Sequence, residues 1–264
     1  MFLSPTVTRL TDPALGNHLK ILCLSVGNAD GLGKVRRGEL YKSAEMLGVR
    51  SEKDVLVVDD EVNLPDSMDK KWDEKMIAEL LMKVFAPTMV GGGKGGAGAG
   101  AKGKGKAGTS AKGEKPEAGI DVIITFDKHG VSGHPNHIAC HDAAVEFVNA
   151  LMAGREGWSC PVDVYALTSV PIWRKYAGVL DCLFTIFSVM GALIMRGTKK
   201  GKGRKKELEK ERPVVLMFVS TPGEWWRGIK AMTRAHISQM RWFRWGWIGL
   251  SRYMVINDLR RVTK

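Results

Sequence analysis

The chain has 264 residues, of which 44% are hydrophobic, and it carries a formal net charge of +12 at pH 7. This length is enough for one sizeable domain with its own core. The charge is local, because residues 91–119 hold six Lys against two Glu and residues 196–212 hold nine Lys or Arg against three Glu. The rest of the chain is close to neutral, so a basic face for nucleic acid is not expected and we predict no nucleic-acid partner.

Apolar, β-branched runs alternate along the chain with segments whose apolar residues have helical spacing. Predicted strands cover 20–26, 54–59, 121–126, 162–167 and 214–219, and predicted helices cover 34–47, 72–85 and 138–151. Continuous apolar strands separated by helices are typical of a largely parallel sheet that is covered on both faces. The predicted fold class is therefore α/β and Rossmann-like, with any site lying beyond the carboxyl ends of the strands.

The two Lys-rich segments interrupt this alternation, and we interpret them as insertions within a single domain, residues 1–264. The segment 91–119 is mostly Gly, Ala and Lys, so it has too little apolar surface to offset the entropy lost on ordering. We predict a disordered, solvated loop there. A second basic loop is predicted at 196–212, for which attraction to phosphate or anionic lipid is an alternative to simple solvation.

The polar loop after the third predicted strand has the strongest functional pattern. Asp127 opens this loop, and His134 and His137 follow at the start of the helix 138–151. Histidines at i and i+3 can reach one metal ion or one substrate, and a helix N-terminus favours an anion. Capping or surface positions are the alternative, and His141 on the same face is open to both interpretations. The spacing alone does not decide, since a catalytic zinc needs three protein ligands.

Residues 127–137 read Asp-Lys-His-Gly-Val-Ser-Gly-His-Pro-Asn-His. This run resembles the second signature of the N-acetylglucosaminylphosphatidylinositol de-N-acetylases, which belong to the wider LmbE-like zinc deacetylases. Segments 27–48, 169–176 and 236–254 resemble further parts of the family in the same order. On this ordered set, rather than on any single piece, the chain is identified as a member of the family.

The resemblance implies a zinc-dependent amide hydrolase that removes acetate from N-acetylglucosaminyl-phosphatidylinositol in GPI-anchor biosynthesis. In such an enzyme zinc polarises the acetamide carbonyl and activates a bound water. By the same resemblance, His137 is a zinc ligand and His134 stabilises the oxyanion. Asp127 is expected to orient a histidine, and Arg36 and His236 are expected to bind the substrate.

One part of the family pattern is absent, because a His-Pro-Asp-Asp-Glu run occurs nowhere in the sequence. In the family this run ends the first strand and supplies two zinc ligands and the general base. Residues 1–6 resemble the positions just after it, so we expect an N-terminally truncated chain whose first strand is missing. Such a chain is expected to hold Zn²⁺ weakly, to be impaired in activity and to be poorly stable, since that strand is central in the fold.

Two segments favour contact with a membrane surface. Residues 179–195 are mostly apolar but include Asp181, which suits an interfacial or buried hairpin better than a span. Trp and Arg intermingle over 225–247, as at a lipid-headgroup surface, although core packing is an equal alternative. The family acts at the cytosolic face of the endoplasmic reticulum membrane, where we expect this protein. A non-catalytic, membrane-associated relative that binds glycolipid or a partner is the alternative function.

Overall fold

The structure is a computed structural model that describes residues 2–90, 114–199 and 212–262. Its strands are β1 (Ile21–Cys23), β2 (Val55–Val57), β3 (Val122–Phe126), β4 (Asp163–Leu167), β5 (Val215–Val219) and β6 (Ile256–Arg261). Its α-helices are α1 (Ser4–Leu10), α2 (Gly33–Met46), α3 (Glu74–Phe85), α4 (Pro87–Val90), α5 (Gly130–Gly133), α6 (Pro135–Met152), α7 (Ile172–Lys175), α8 (Leu180–Lys199), α9 (Pro222–Lys230) and α10 (Trp242–Leu250).

The strands form two sheets, and most of them run in the same direction. Strands β1 and β2 pair in parallel, and a second sheet has the order β3-β4-β6-β5. Within it β3 and β4 are parallel, whereas β6 is antiparallel to both β4 and β5. The predicted α/β, mostly parallel fold is confirmed. Strand β6 was not predicted, because the buried polar residues Asn257 and Asp258 hide its strand pattern.

The sheet is interrupted between β1 and β3. Among the described strands β1 pairs only with β2 and the edge strand β3 pairs only with β4. Both strands still contribute to one apolar core, through Leu22 of β1 and Ile123 of β3.

Helix α6 fixes the place of the two predicted site histidines. Its residues Ala139, Ala143, Phe147 and Leu151 recur at intervals of four and are fully buried, so they form one face that packs in the same core as α3. Pro135 stands at the first helical turn, where its missing N–H leaves no hydrogen bond unmade. The packing therefore holds the N-terminus of α6 beside the carboxyl end of β3.

The apolar segment near residue 180 is one continuous helix, α8, so the predicted hairpin is wrong. Asp181, which interrupts the apolar run, is buried and forms ion pairs with Arg174 and Arg252. None of the helices in the described part of the chain is long and apolar enough to cross a membrane.

The two Lys-rich segments are only partly within the described residues. Residues 91–113 of the first predicted loop and 200–211 of the second lie outside them. Residues 196–199 form the last turn of α8 rather than a loop.

The tryptophans of the C-terminal stretch divide between the two interpretations of that segment. Trp225 and Trp247 pack against the buried cluster that includes Met232. The other three are exposed on the surface, namely Trp226, Trp242 and Trp245. Core packing and a surface role therefore both occur, at different residues.

Candidate active site

The turn between β3 and α6 has an unusual backbone. Gly130 and Val131 both have positive φ, 57° and 64°. A β-branched residue rarely adopts this region, so its surroundings must hold it there. The Val131 N–H donates to Ser169 Oγ at 2.7 Å, which ties the turn to the segment after β4.

Asp127 anchors this turn instead of touching an imidazole. One carboxylate oxygen accepts from the Ser169 N–H at 2.7 Å, and the other accepts from Ser169 Oγ at 2.6 Å. The backbone N–H of His129 donates to the carboxylate as well, at 3.0 Å. Any orienting effect of Asp127 on a histidine therefore passes through Ser169 and the backbone of the turn.

His137 receives its orientation from that turn. Its Nδ1 lies 3.0 Å from the Gly130 carbonyl oxygen. A carbonyl can only accept, so Nδ1 has the proton and Nε2 keeps a free lone pair. The ring stacks on Phe126, with 3.9 Å between centroids, and Phe2 meets it edge-on. Burial lowers the pKa of His137 to about 4, so the imidazole is neutral at pH 7 and its Nε2 can act as a metal ligand.

His134 has the opposite tautomer. It is the N-cap of α6, and its Nδ1 accepts from the Asn136 N–H at 3.2 Å. The proton is then on Nε2, which makes that atom a hydrogen-bond donor. The rings of His134 and His137 are stacked with 4.8 Å between centroids. A lone pair and an N–H donor are thus presented by two adjacent imidazoles.

Arg36 lies beside the loop that follows β1. Its Nη1 donates to the Gly27 carbonyl and its Nη2 forms an ion pair with Asp30. A Cβ on Gly27 would lie 3.1 Å from Arg36 Nη1 and 3.3 Å from Asp66 Oδ2, and the φ of Gly27 is positive. Only glycine suits this position, because the backbone conformation and the close guanidinium both exclude a side chain.

His236 is held against the same helix, α2, that contains Arg36. The Glu39 carboxylate accepts from the Ser238 N–H at 2.6 Å and from Ser238 Oγ at 2.7 Å, which fixes the turn after His236. Gln239 Nε2 lies 3.5 Å from His236 Nδ1. Burial lowers the pKa of His236 to about 4. The two predicted substrate-binding residues, Arg36 and His236, are therefore brought to one region.

Asp66 links the two groups of predicted residues, and the sequence interpretation missed it. It lies next to Gly27 and Arg36, and its charge also acts on His137. The available signal was its position after β2, because side chains beyond the carboxyl ends of parallel strands gather at one edge. The positive charge of Arg36 acts on Arg244, which the sequence analysis included only in the Trp- and Arg-rich stretch 225–247.

The residues of the described part do not complete a zinc site. No group of three or more His, Cys, Asp or Glu side chains there is placed to hold a metal ion. A catalytic zinc takes three protein ligands and one open position. His137 offers one suitable nitrogen, so the donors present do not by themselves fit Zn²⁺.

A cavity of about 450 Å³ lies apart from most of these residues. Asp127 and Ser169 line it, together with Arg174 and Thr185 from the α7–α8 region. His134, His137, His236 and Arg36 are not among its lining residues, whereas His141 is. We place the candidate site at His134 and His137, where one imidazole offers a lone pair and the other an N–H donor, and not in this cavity.

Comparisons with known proteins agree with these features. Residues 1–148 match the protein family described as PIG-L: GlcNAc-PI de-N-acetylase. The N-acetylglucosaminyl-phosphatidylinositol de-N-acetylase of Arthroderma benhamiae is 40% identical over 99% of this chain and 83% of its own length. A protein of Schizosaccharomyces pombe named probable N-acetylglucosaminyl-phosphatidylinositol de-N-acetylase is 32% identical over 100% of this chain and 82% of its own length. The N-acetylglucosaminyl-phosphatidylinositol de-N-acetylase of Bos taurus is 29% identical, covering 98% of this chain and 77% of itself.

Proposed function

Because the chain belongs to the PIG-L family of GlcNAc-PI de-N-acetylases, we propose that it is an amide hydrolase of GPI-anchor biosynthesis. Its substrate is N-acetylglucosaminyl-phosphatidylinositol, and its products are acetate and the free amine of the glucosamine. The observation that carries this proposal is the pair of adjacent histidines with opposite tautomers, which suits hydrolysis of an acetamide.

The two histidines have different parts in this reaction. Water oxygen adds to the acetamide carbon, the C–N bond breaks, and the departing nitrogen takes a proton. His134 Nε2–H donates to the carbonyl oxygen as negative charge develops there. His137 keeps a neutral ring with Nε2 free for a ligand bond. Arg36 and His236 hold the sugar side of the substrate.

We assign Zn²⁺ as the cofactor of the complete site, with His137 as one ligand. The described residues do not supply a full donor set, so the chain alone is expected to hold zinc weakly and to be impaired. The experiment joins a segment containing His-Pro-Asp-Asp-Glu to the N-terminus of the chain. Acetate release from N-acetylglucosaminyl-phosphatidylinositol should then appear or rise strongly.

Variants of the supplemented protein test the two histidines. His134→Ala should lower the rate roughly 100-fold or more while zinc stays bound, since one oxyanion donor is lost. His137→Ala should lower both zinc content and rate. His129→Ala is the matched control, because its side chain is exposed on the same loop. Equal rates in all three variants would contradict the assigned roles.

A non-catalytic, glycolipid-binding function is the second candidate. The incomplete donor set in the described part of the chain favours it. Under this alternative the supplemented protein would bind the glycolipid without releasing acetate. Acetate release that depends on His137 would exclude the alternative.

We further propose that the protein works at the cytosolic face of the endoplasmic reticulum membrane, with α8 and α10 against the lipid. Large apolar side chains along one stripe of α8 are exposed, and so are aromatic residues of α10. The exposed residues are Leu180, Leu183, Phe184, Phe187, Met190 and Ile194 on α8, and Trp242, Phe243 and Trp245 on α10. A Cβ on Gly178 would lie 3.4 Å from the Leu250 carbonyl, so the start of α8 meets the end of α10 and the surface is continuous.

Sedimentation with vesicles of phosphatidylcholine and phosphatidylinositol tests this surface. Phe187→Glu should weaken vesicle binding by roughly tenfold or more, because one large apolar side chain is lost from the lipid contact. Val62→Glu is the control, since Val62 is 79% exposed outside α8 and α10. Equal binding by both variants would refute the assigned face.

A further inference from the structure

Arg244 is a half-buried arginine without a carboxylate partner among the described residues. Its Nη1 donates to the neutral Gln239 Oε1 at 3.3 Å. Burial and the positive charges of Arg36 and Arg241 lower the pKa of Arg244. The backbone N–H of Arg244 also donates to the Arg241 carbonyl at 2.9 Å, so these two arginines lie on one turn and the charge of Arg36 acts on them from α2. Such an arrangement is unfavourable unless an anion compensates the charge.

The acidic side chains near Arg36 do not form ion pairs with Arg241 or Arg244. Asp30 neutralises Arg36 at one end of its guanidinium, but Arg36 Nε is buried and has no hydrogen-bond partner in the described structure. The Glu39 carboxylate is occupied by Ser238. No ion pair involves Arg241 or Arg244 in the described part of the chain. The local excess of positive charge lies at Arg241 and Arg244.

Arg244 also lies between two surfaces with different chemistry. On one side Gln239 connects it to His236 of the candidate sugar site. On the other side its neighbours in α10, Phe243 and Trp245, are exposed in the apolar surface. The guanidinium is thus placed between a polar pocket and a lipid-facing surface, where a glycolipid has its phosphate.

We propose that the arginine cluster, Arg241 and Arg244, binds the phosphodiester of the glycolipid. Guanidinium groups pair with phosphate oxygens through parallel, charge-assisted hydrogen bonds. The cluster then directs the sugar towards His236 and the acyl chains along α10. This inference rests on the proposed function and names its phosphate subsite.

The test measures binding of two soluble headgroups by calorimetry, using the full chain. One probe is N-acetylglucosaminyl-glycerophosphoinositol, which keeps the phosphodiester, and the other is N-acetylglucosaminyl-inositol, which lacks it. Arg244→Gln should weaken binding of the first probe roughly tenfold or more and leave the second within about twofold. Arg244→Lys should restore part of the loss. Arg234→Gln removes an exposed arginine of the same segment and should change neither affinity.

The binding results distinguish a failure of the phosphate subsite from a failure of the proposed function. If Arg244→Gln weakens both probes equally, or neither, the phosphate subsite is wrong while the proposed function stands. If the unchanged chain binds neither probe, the proposed function fails and this inference with it. Arg241→Gln is a second variant at an exposed position, and its fold is checked by urea unfolding. A selective loss in Arg241→Gln supports the cluster even where Arg244→Gln does not fold.

Discussion

Two arginines near the C-terminus lie in contrasting surroundings. Arg252 is completely buried, and its Nη2 donates to Asp258 at 2.9 Å while its Nε lies 2.5 Å from an Asp181 oxygen. The Nε contact is a close ion pair without hydrogen-bond geometry. Arg244 is only half-buried and contacts the amide of Gln239. A structural arginine in this protein is neutralised internally, whereas the arginine near the candidate site is left for an external anion.

The partners of Arg252 are themselves firmly held. Arg174 donates to both oxygens of Asp181, at 2.6 and 3.0 Å. Burial alone would raise the pKa of Asp181, but the hydrogen bond from Arg174 and the charge of Arg252 outweigh it and hold that pKa below its usual range. The network therefore joins α7, α8 and the C-terminal segment as one unit.

Removing an ion-pair partner of Arg252 should give the largest loss in the free energy of unfolding. Asp181→Ala leaves Arg252 buried with less compensation, so the free energy of unfolding should fall by about 3–5 kcal/mol. Asp142→Ala is the control, because Asp142 pairs with Lys71 at a partly exposed site and should cost less than about 1 kcal/mol. Urea unfolding measures both, and equal losses would show that the network is not structural.

The pH dependence of stability tests the region around Arg244, where His236 is buried. Burial lowers the pKa of His236 to about 4, below the value of about 6.5 in an unfolded chain. The unfolded state then binds the proton first, so the contribution of His236 is complete above pH 6.5 and is lost as the pH falls towards 4. Its size is at most about 3 kcal/mol.

Urea midpoints between pH 6.5 and 5 check this prediction. His236→Gln should reduce the decline in stability to roughly half, since His137, whose pKa is also lowered to about 4, still contributes. An unchanged decline in the variant would mean that His236 is not buried as described.

Removing the unpaired charge should give the smallest change in stability. Arg244→Leu should alter the free energy of unfolding by no more than about 1 kcal/mol, because the guanidinium offsets no buried carboxylate. Arg252→Leu should be strongly destabilising, since it leaves Asp181 and Asp258 without their cation. Urea unfolding of the two variants measures the difference between Arg244 and Arg252. Similar losses in the free energy of unfolding would show that the two arginines do not differ in their structural role.

Much of the fold follows from the sequence, because its apolar strands are continuous. The strands at 21–23, 55–57, 122–126, 163–167 and 215–219 all lie within predicted segments. Strand β6 was missed since its buried residues include the polar Asn257 and Asp258, whose burial depends on tertiary partners. The α8 hairpin was wrong because Asp181 was interpreted as an interruption, although Arg174 and Arg252 neutralise it inside the fold.

The candidate site was predicted in part. His134 and His137 are adjacent as their spacing indicates, but their opposite tautomers depend on a carbonyl and an N–H that no sequence pattern reveals. The positive φ of Val131 could not be predicted for the same reason, because Ser169 holds that turn from the segment after β4. Asp66 and Arg244 each come near Arg36 only through long-range packing.

The most direct test of the account is to assay the 264-residue chain itself for zinc content and for acetate release from N-acetylglucosaminyl-phosphatidylinositol. We expect weak, substoichiometric zinc and little or no acetate, because His137 is the one assigned ligand in the described part of the chain. Stoichiometric zinc with sustained acetate release would contradict it, and would show that the ligands lie elsewhere.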